Sequence, residues 1–172
     1  MAGFFVRRAL LDDAEQMVEH MRRLSIEPNN GIVRSGLDEV MSVEEERTTL
    51  QELETSDNSI LVVAVTPDNH VIGVAGFMGG KRRAMRHTGS LGIGIDKDWR
   101  NKGVGTAMMK YIVDWARETG IITRIELEVN TNNERAVHVY EKTGFEIEGC
   151  KKRALLKDGQ YLDNYVMALL LE

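Results

Sequence analysis

Residues 99–108 read WRNKGVGTAM, and the reading of their glycines decides the fold. Gly103 and Gly105 lie one residue apart, and Arg100 and Lys102 flank Asn101. A helical pattern follows: Val104, Met108, Tyr111, Ile112 and Trp115 recur at 3.6-residue spacing, and Gly120 can end the helix. Glycines at a helix start let an anion approach the backbone. The first turn leaves N–H groups unpaired, and the helix dipole adds about half a positive charge at that end. Arg100 and Lys102 contribute full charges. These residues favour a phosphate or pyrophosphate site over an ordinary loop.

Two familiar phosphate motifs do not fit. The third glycine of G-x-G-x-x-G would fall at Met108. Glu126 lies at a suitable distance for a ribose-binding acid, but that fingerprint needs its first glycine directly after a strand. Here Asp96 to Lys102 intervene. The Gly-Lys-Ser/Thr end of a Walker A loop is absent.

Outward from this stretch the chain alternates between strand and helix patterns. FFVRRAL (4–10) predicts a first strand, and Asp12 a cap for a helix over 13–24. Ser42 with Glu45 forms a capping-box pattern ahead of a helix over about 43–54. SILVVAV (59–65) and HVIGVAGFMG (70–79) read as strands joined by a turn at Pro67-Asp68-Asn69. The basic run 81–87 reads as a solvated hairpin loop, and GSLGIGID (89–96) as a glycine-rich strand. A strand over 122–129 and a helix over 133–144 follow. Strands over 145–156 and 160–171 are joined by Asp158-Gly159, a hairpin signal. The order β-α-α-β-β-β-α-β-α-β-β implies an α/β sandwich with a mixed, mostly antiparallel sheet flanked by helices.

Composition sets bounds. The 172 residues suit one domain spanning 1–172. Lys plus Arg is 22 against 27 Asp plus Glu, so the net charge of −5 disfavours general nucleic-acid binding. The single cysteine, Cys150, excludes an internal disulfide or a Cys-based zinc cluster, and reads as core filler. No metal site is expected. The apolar run at the N-terminus is too short for a signal peptide, and no stretch approaches the ~20 apolar residues of a membrane helix. The expected home is a reducing cytoplasm, with no membrane partner.

At this point two motifs can be compared with a known family. Arg100-Asn101-Lys102-Gly103-Val104-Gly105 resembles the Arg/Gln-x-x-Gly-x-Gly/Ala motif of the GNAT superfamily of acyl-CoA-dependent N-acetyltransferases. Asn133 to Phe145 resembles its Asn-x-x-Ala-x-x-x-Tyr-x-Lys-x-Gly-Phe run. The C-terminal GFEIEG…DGQYLDNYVMALLL looks like the branch holding amino-acid, small-amine, spermidine and ribosomal-protein acetyltransferases.

The resemblance implies acetyl-CoA as co-substrate, a small-molecule amine or amino acid as acceptor, and no metal. A protein N-terminus as acceptor, or a CoA-binding module without turnover, are the alternatives. It also implies that strand 89–96 splays from strand 122–129. Backbone groups of Ile93 and Ile95 would then pair with pantetheine, and backbone amides of Arg100, Asn101, Lys102, Gly103, Val104, Gly105 and Thr106 would hold the pyrophosphate. Asn133 would bond the pantetheine arm, although an Asn there also suits a helix cap. Tyr140 would protonate the leaving thiolate. The strand glycines suit a close ligand.

Glu126 and Glu128 lie two apart on one strand and share a face, so they are base candidates if that face lines the slot. His87 reads as a loop histidine. Residues 25–41 read as a substrate lid, in which Glu27, Asp38 and Glu39 could attract a cationic acceptor. A homodimer that covers the edge strands is compatible with the sequence.

Overall fold

Short apolar runs bounded by turn residues become strands, and the runs with helical period become helices. The computed structural model describes residues 3–28 and 40–172. In chain order the elements are β1 (Phe5–Arg8), α1 (Ala14–Ser25), α2 (Val43–Glu54), β2 (Ile60–Val65), β3 (Val71–Gly79), β4 (Thr88–Ile95), α3 (Val104–Thr119), β5 (Arg124–Asn130), α4 (Glu134–Lys142), β6 (Glu146–Lys157) and β7 (Gln160–Leu170). The seven strands form one sheet in the order β1-β2-β3-β4-β5-β7-β6. Every pairing is antiparallel except β4 with β5. Those two are joined by α3, the crossover that a parallel pair requires. This is the expected α/β sandwich.

Helices cover both faces. On one, Val104, Met108, Met109 and Ile112 of α3 pack with Val62, Phe77, Ile125, Leu127 and Met167 of the strands, and α4 joins through Ala136, Val137 and Tyr140. On the other, Ala14 and Met17 of α1 and Leu50 of α2 pack on Val63, Val65 and Val71.

Local chemistry sets the boundaries. The Ser42 box closes in both directions: Glu45 N–H donates to Ser42 Oγ at 3.2 Å, and Ser42 N–H donates to Glu45 Oε2 at 2.7 Å. Gly120 ends α3 in the left-handed conformation at φ 62°. Asp158 and Gly159 both have positive φ, 50° and 76°, as a primed hairpin turn requires.

Two expectations are corrected. The residue at the N-terminal boundary of α1 is Asp13, not Asp12, because a 3-10 turn over Leu11–Asp13 precedes the helix, and the Asp13 side chain bonds none of the helix N–H groups. The Asp13 carboxylate turns back to accept the Leu10 N–H at 2.7 Å and the Arg7 fork at 2.6 and 2.8 Å. Cys150 is not core filler. It is exposed on β6, an edge strand whose side chains are mostly open to solvent.

Burial pushes the Asp13 carboxyl up, but the hydrogen bonds from Arg7 and Leu10 outweigh it and hold the group below its ordinary 3.8. A depressed carboxyl contributes stability above its unfolded pKa and loses it as pH falls through the folded value. Asp13→Asn should therefore cost about 1–3 kcal/mol at pH 7. In urea unfolding, the gap from the parent protein should narrow below about pH 4. A gap constant with pH would contradict this.

Candidate functional site

β4 and β5 pair only at Thr88–Arg124, Gly89–Ile125 and Ser90–Glu126. Beyond that rung each strand stays with its other neighbour, β4 with β3 to Ile95 and β5 with β7 to Asn130. The two strands part, and a slot opens in the middle of the sheet. Gly80 N–H donates to Thr88 O, and Asp96 N–H donates to Ile72 O. Even-numbered residues of this strand therefore bond β3, and the backbone groups of Leu91, Ile93 and Ile95 turn toward the slot.

The loop from Asp96 to Gly103 closes one end of the slot. Asn101 and Gly103 adopt φ 59° and 83°, so the chain turns sharply into α3. The N–H groups of Val104, Gly105 and Thr106 head the helix and find no acceptor among the described residues. Gly105 lies against the slot, where a Cβ would sit 3.1 Å from Ile95 Cδ1. The Lys102 ammonium lies 5.1 Å above the Trp99 ring and forms no ion pair among the described residues. Arg100 differs: its guanidinium is bound to Glu27 and to the Ile95 carbonyl.

α4 brings the second motif alongside. Asn133 caps this helix, its Oδ1 accepting the Ala136 N–H at 3.3 Å. Arg135, in the first turn, reaches Asn101 Oδ1 at 3.5 Å, so the starts of α3 and α4 are neighbours. Thr143 Oγ1 also contacts Met109 Sδ of α3 at 3.5 Å. The Tyr140 ring packs on Phe145 with centroids 5.9 Å apart. Burial pushes the Tyr140 phenol up, which keeps it protonated at neutral pH.

Glu126 and Glu128 lie on the face opposite α3, since Ile125, Leu127 and Val129 fill the core on the other side. Glu126 stands at the last paired rung, and Glu128 on the parted section. Both are held. Glu126 accepts from Thr88 Oγ1 and Arg124 Nε, each at 3.1 Å. Glu128 accepts from Lys151 and from Asn164 Nδ2. The Lys151 ammonium holds the Glu128 carboxyl below the usual range against a smaller effect of burial. Asn164 is buried, and its Oδ1 is the one buried side-chain polar atom among the described residues without a partner.

Some expected participants lie elsewhere. His87 is exposed before the first residue of β4, at the end of the strand away from the Asp96–Gly103 loop. The β4 glycines serve different ends. A Cβ at Gly94 would come within 2.6 Å of Leu24 Cδ1, and one at Gly89 within 2.4 Å of the Met78 carbonyl. Gly92 alone among these three faces open space. Asp38 and Glu39 fall outside the described residues. So does most of the loop 25–41. Among the described residues no cluster of side chains suits a metal ion, and no helix is long and apolar enough to cross a membrane.

Residues 32–145 match the family described as the acetyltransferase (GNAT) family. A GNAT acetyltransferase from Streptococcus pneumoniae superposes with a TM-score of 0.91 at 31% identity, covering 98% of this chain and 99% of that one. The chain belongs to the GNAT acetyltransferase family. Among curated relatives, the L-amino acid N-acetyltransferase AaaT of Escherichia coli is 38% identical over 101 residues. That match spans 59% of this chain and 62% of the relative, less than two thirds of its length. The acetyltransferase yncA of Salmonella typhimurium, solved with its cofactor acetyl-CoA, shares the fold with a TM-score of 0.86 at 18% identity. It covers 99% of this chain and 95% of its own.

Within this GNAT fold, two features escaped the sequence reading. Arg135 occupies an unspecified position of its motif and gains meaning only when α4 lies beside Asn101. Glu27 reads as a charge on a loop, yet it is bound to a residue 73 positions away. Gly103 yields a prediction free of packing effects, because a Cβ there meets nothing within 4 Å while φ is +83°. Gly103→Ala should cost about 1–2 kcal/mol from backbone strain alone, read as a lower denaturation midpoint. An unchanged midpoint would mean that the loop adopts another conformation.

Proposed function

We propose that this protein transfers an acetyl group from acetyl-CoA to the primary amine of a small molecule or amino acid, by direct attack on the thioester. One observation carries the reading: the unpaired edge of β4 leads, through the Asp96–Gly103 loop, to the free N–H groups that open α3. An extended, amide-bearing arm ending in a pyrophosphate matches both halves of that surface. The arm adds to β4 as a strand, and the diphosphate takes the helix start. Family membership and the amino-acid acceptor of the E. coli relative support the same class.

In this reading the arm pairs with the backbone of Ile93 and Ile95. The Ile95 N–H is aimed at the thioester carbonyl and stabilises the oxyanion of the tetrahedral intermediate. The amides from Asn101 to Thr106 hold the pyrophosphate, with Lys102 adding charge; the Arg100 N–H, expected to join them, is instead donated to the Lys97 carbonyl at 3.3 Å. Asn133 caps α4 through Oδ1, and its Nδ2 remains for the arm. A lysine-like amine has a pKa of ~10.4 and must lose a proton before attack. Glu126 or Glu128 takes that proton, directly or through water. Lys151 weakens Glu128 as a base relative to a free carboxylate, because it stabilises the ionised form. The amine nitrogen then bonds to the carbonyl carbon, the C–S bond breaks, and the Tyr140 hydroxyl protonates the departing thiolate. The exposed free thiol of Cys150 suits a reducing cytoplasm.

Tyr140→Phe should lower kcat about 10²- to 10⁴-fold while leaving the Kd for CoA unchanged. Thiol release from acetyl-CoA across amino acids, polyamines and short peptides reads both the activity and the acceptor class. Full activity in Tyr140→Phe would remove the acid role. Release with peptides alone would move the acceptor to a protein N-terminus. Tight CoA binding without release would indicate a module that binds CoA and does not turn it over.

A further inference from the structure

Three polar residues, two on α1 and one just past its end, fasten the exit of β4. His20 and Arg23 lie one turn apart on α1, and Glu27 follows a turn later, just past the helix end. His20 Nδ1 lies 2.8 Å from Asp96 Oδ1, and its Nε2 lies 3.2 Å from the Gly94 carbonyl oxygen. Arg23 donates to the second Asp96 oxygen at 2.9 Å. Glu27 accepts the Arg100 fork with both oxygens, at 2.5 and 2.8 Å. Arg100 Nε donates to the Ile95 carbonyl at 3.0 Å. Gly94 permits this approach, since a side chain there would meet Leu24. Gly94, Ile95, Asp96 and Arg100 are thus each held, directly or through one partner, by α1 or by Glu27 just past its end.

Two consequences bear on the cofactor. The Arg100 fork is committed to a carboxylate and its Nε to a backbone carbonyl, so this guanidinium is not offered to a phosphate. Its charge is balanced by Glu27, in a pair whose side chains are only 18% and 19% exposed. Bidentate geometry of this kind fixes orientation as well as energy. The Ile95 carbonyl, one of the groups on the slot edge, is also taken. An added arm therefore finds both backbone groups of Ile93 but only the N–H of Ile95.

We propose that Glu27 is a positioning residue for acetyl-CoA: by gripping Arg100 against the Ile95 carbonyl, it sets where the Ile95 N–H and the Asn101–Thr106 amides stand. This rests on the reading of the slot as the acetyl-CoA site. It replaces an attraction of Glu27 for a cationic acceptor, because both carboxylate oxygens are occupied.

The test is calorimetric titration of CoA, with steady-state kinetics, on the wild-type chain, Glu27→Gln, Glu27→Asp, Arg100→Lys and the double variant Glu27→Gln/Arg100→Lys. Glu27→Gln should raise the Kd for CoA and the KM for acetyl-CoA about tenfold, within the range of coupling between contacting residues. The acceptor KM should stay within about twofold, while kcat should fall, because a displaced Ile95 N–H stabilises the oxyanion less well. Glu27→Asp, one methylene shorter with the charge kept, should recover part of the loss. The double variant should be no worse than the weaker single one.

An unchanged Kd for Glu27→Gln would overturn the proposal. Tighter CoA binding would overturn it too, since Arg100 would then be a phosphate ligand held back by Glu27. A shift confined to the acceptor KM would return Glu27 to amine binding. If Glu27→Gln fails to fold, Glu27→Asp and Arg100→Lys carry the same comparison. Failure of the wild-type chain to bind CoA would instead defeat the reading of the slot.

Discussion

The parting of β4 from β5 is the constraint around which the molecule is arranged. A sheet gains by continuing its ladder, and unpaired strand edges in a sheet's interior leave backbone groups without partners. Here the ladder stops after Ser90–Glu126 although both strands continue. The outer pairings explain how the gap persists. β4 is committed to β3 along its whole length, and β5 to β7. α1 fastens the far end of β4, and α3 and α4 share the core beneath the slot. An extended ligand that brings its own amides restores the missing pairing. The fold thus holds open, in its middle, a place that chemistry of the right shape can fill.

Charge around this opening is divided by side. At the α3 end, backbone N–H groups and Lys102 present positive potential, while the Arg100 charge is absorbed by Glu27. On the face opposite α3, Glu126 and Glu128 stand beside the slot, partnered by Arg124 and Lys151. The first side suits an anionic cofactor tail. The second suits an amine that arrives protonated and leaves its proton behind. Tyr140, whose phenol keeps its proton through burial, is the proposed donor for the opposite transfer.

Much of this was legible in the sequence, for physical reasons. Strands and helices with strong period kept their type, and α2 begins at the residue its capping box marks. The glycines flanking Val104 identified a helix start that an anion could approach, and the second motif located α4. What escaped depends on tertiary partners. Asp13 rather than Asp12 stands at the start of α1 because a 3-10 turn intervenes, and its carboxylate turns to Arg7 instead of the helix. Cys150 is exposed because β6 lies at the sheet edge, which periodicity along one strand does not reveal. The glycine of Gly94 reflects α1 packing rather than a ligand, and the partner of Glu27 lies 73 residues away. Local pattern reports what a segment can be; which charges meet across the sheet is decided only when the helices dock.

Amide hydrogen exchange with and without acetyl-CoA tests the central claim most directly, because it reads the backbone groups that the slot leaves open. Acetyl-CoA should slow exchange at the amides of Ile93 and Ile95 and at those of Gly103 to Thr106, while the already paired amides of β3 and β7 change little. Binding of acetyl-CoA that leaves Ile93 and Ile95 unprotected would contradict the account, since the opening between β4 and β5 would then serve some other purpose.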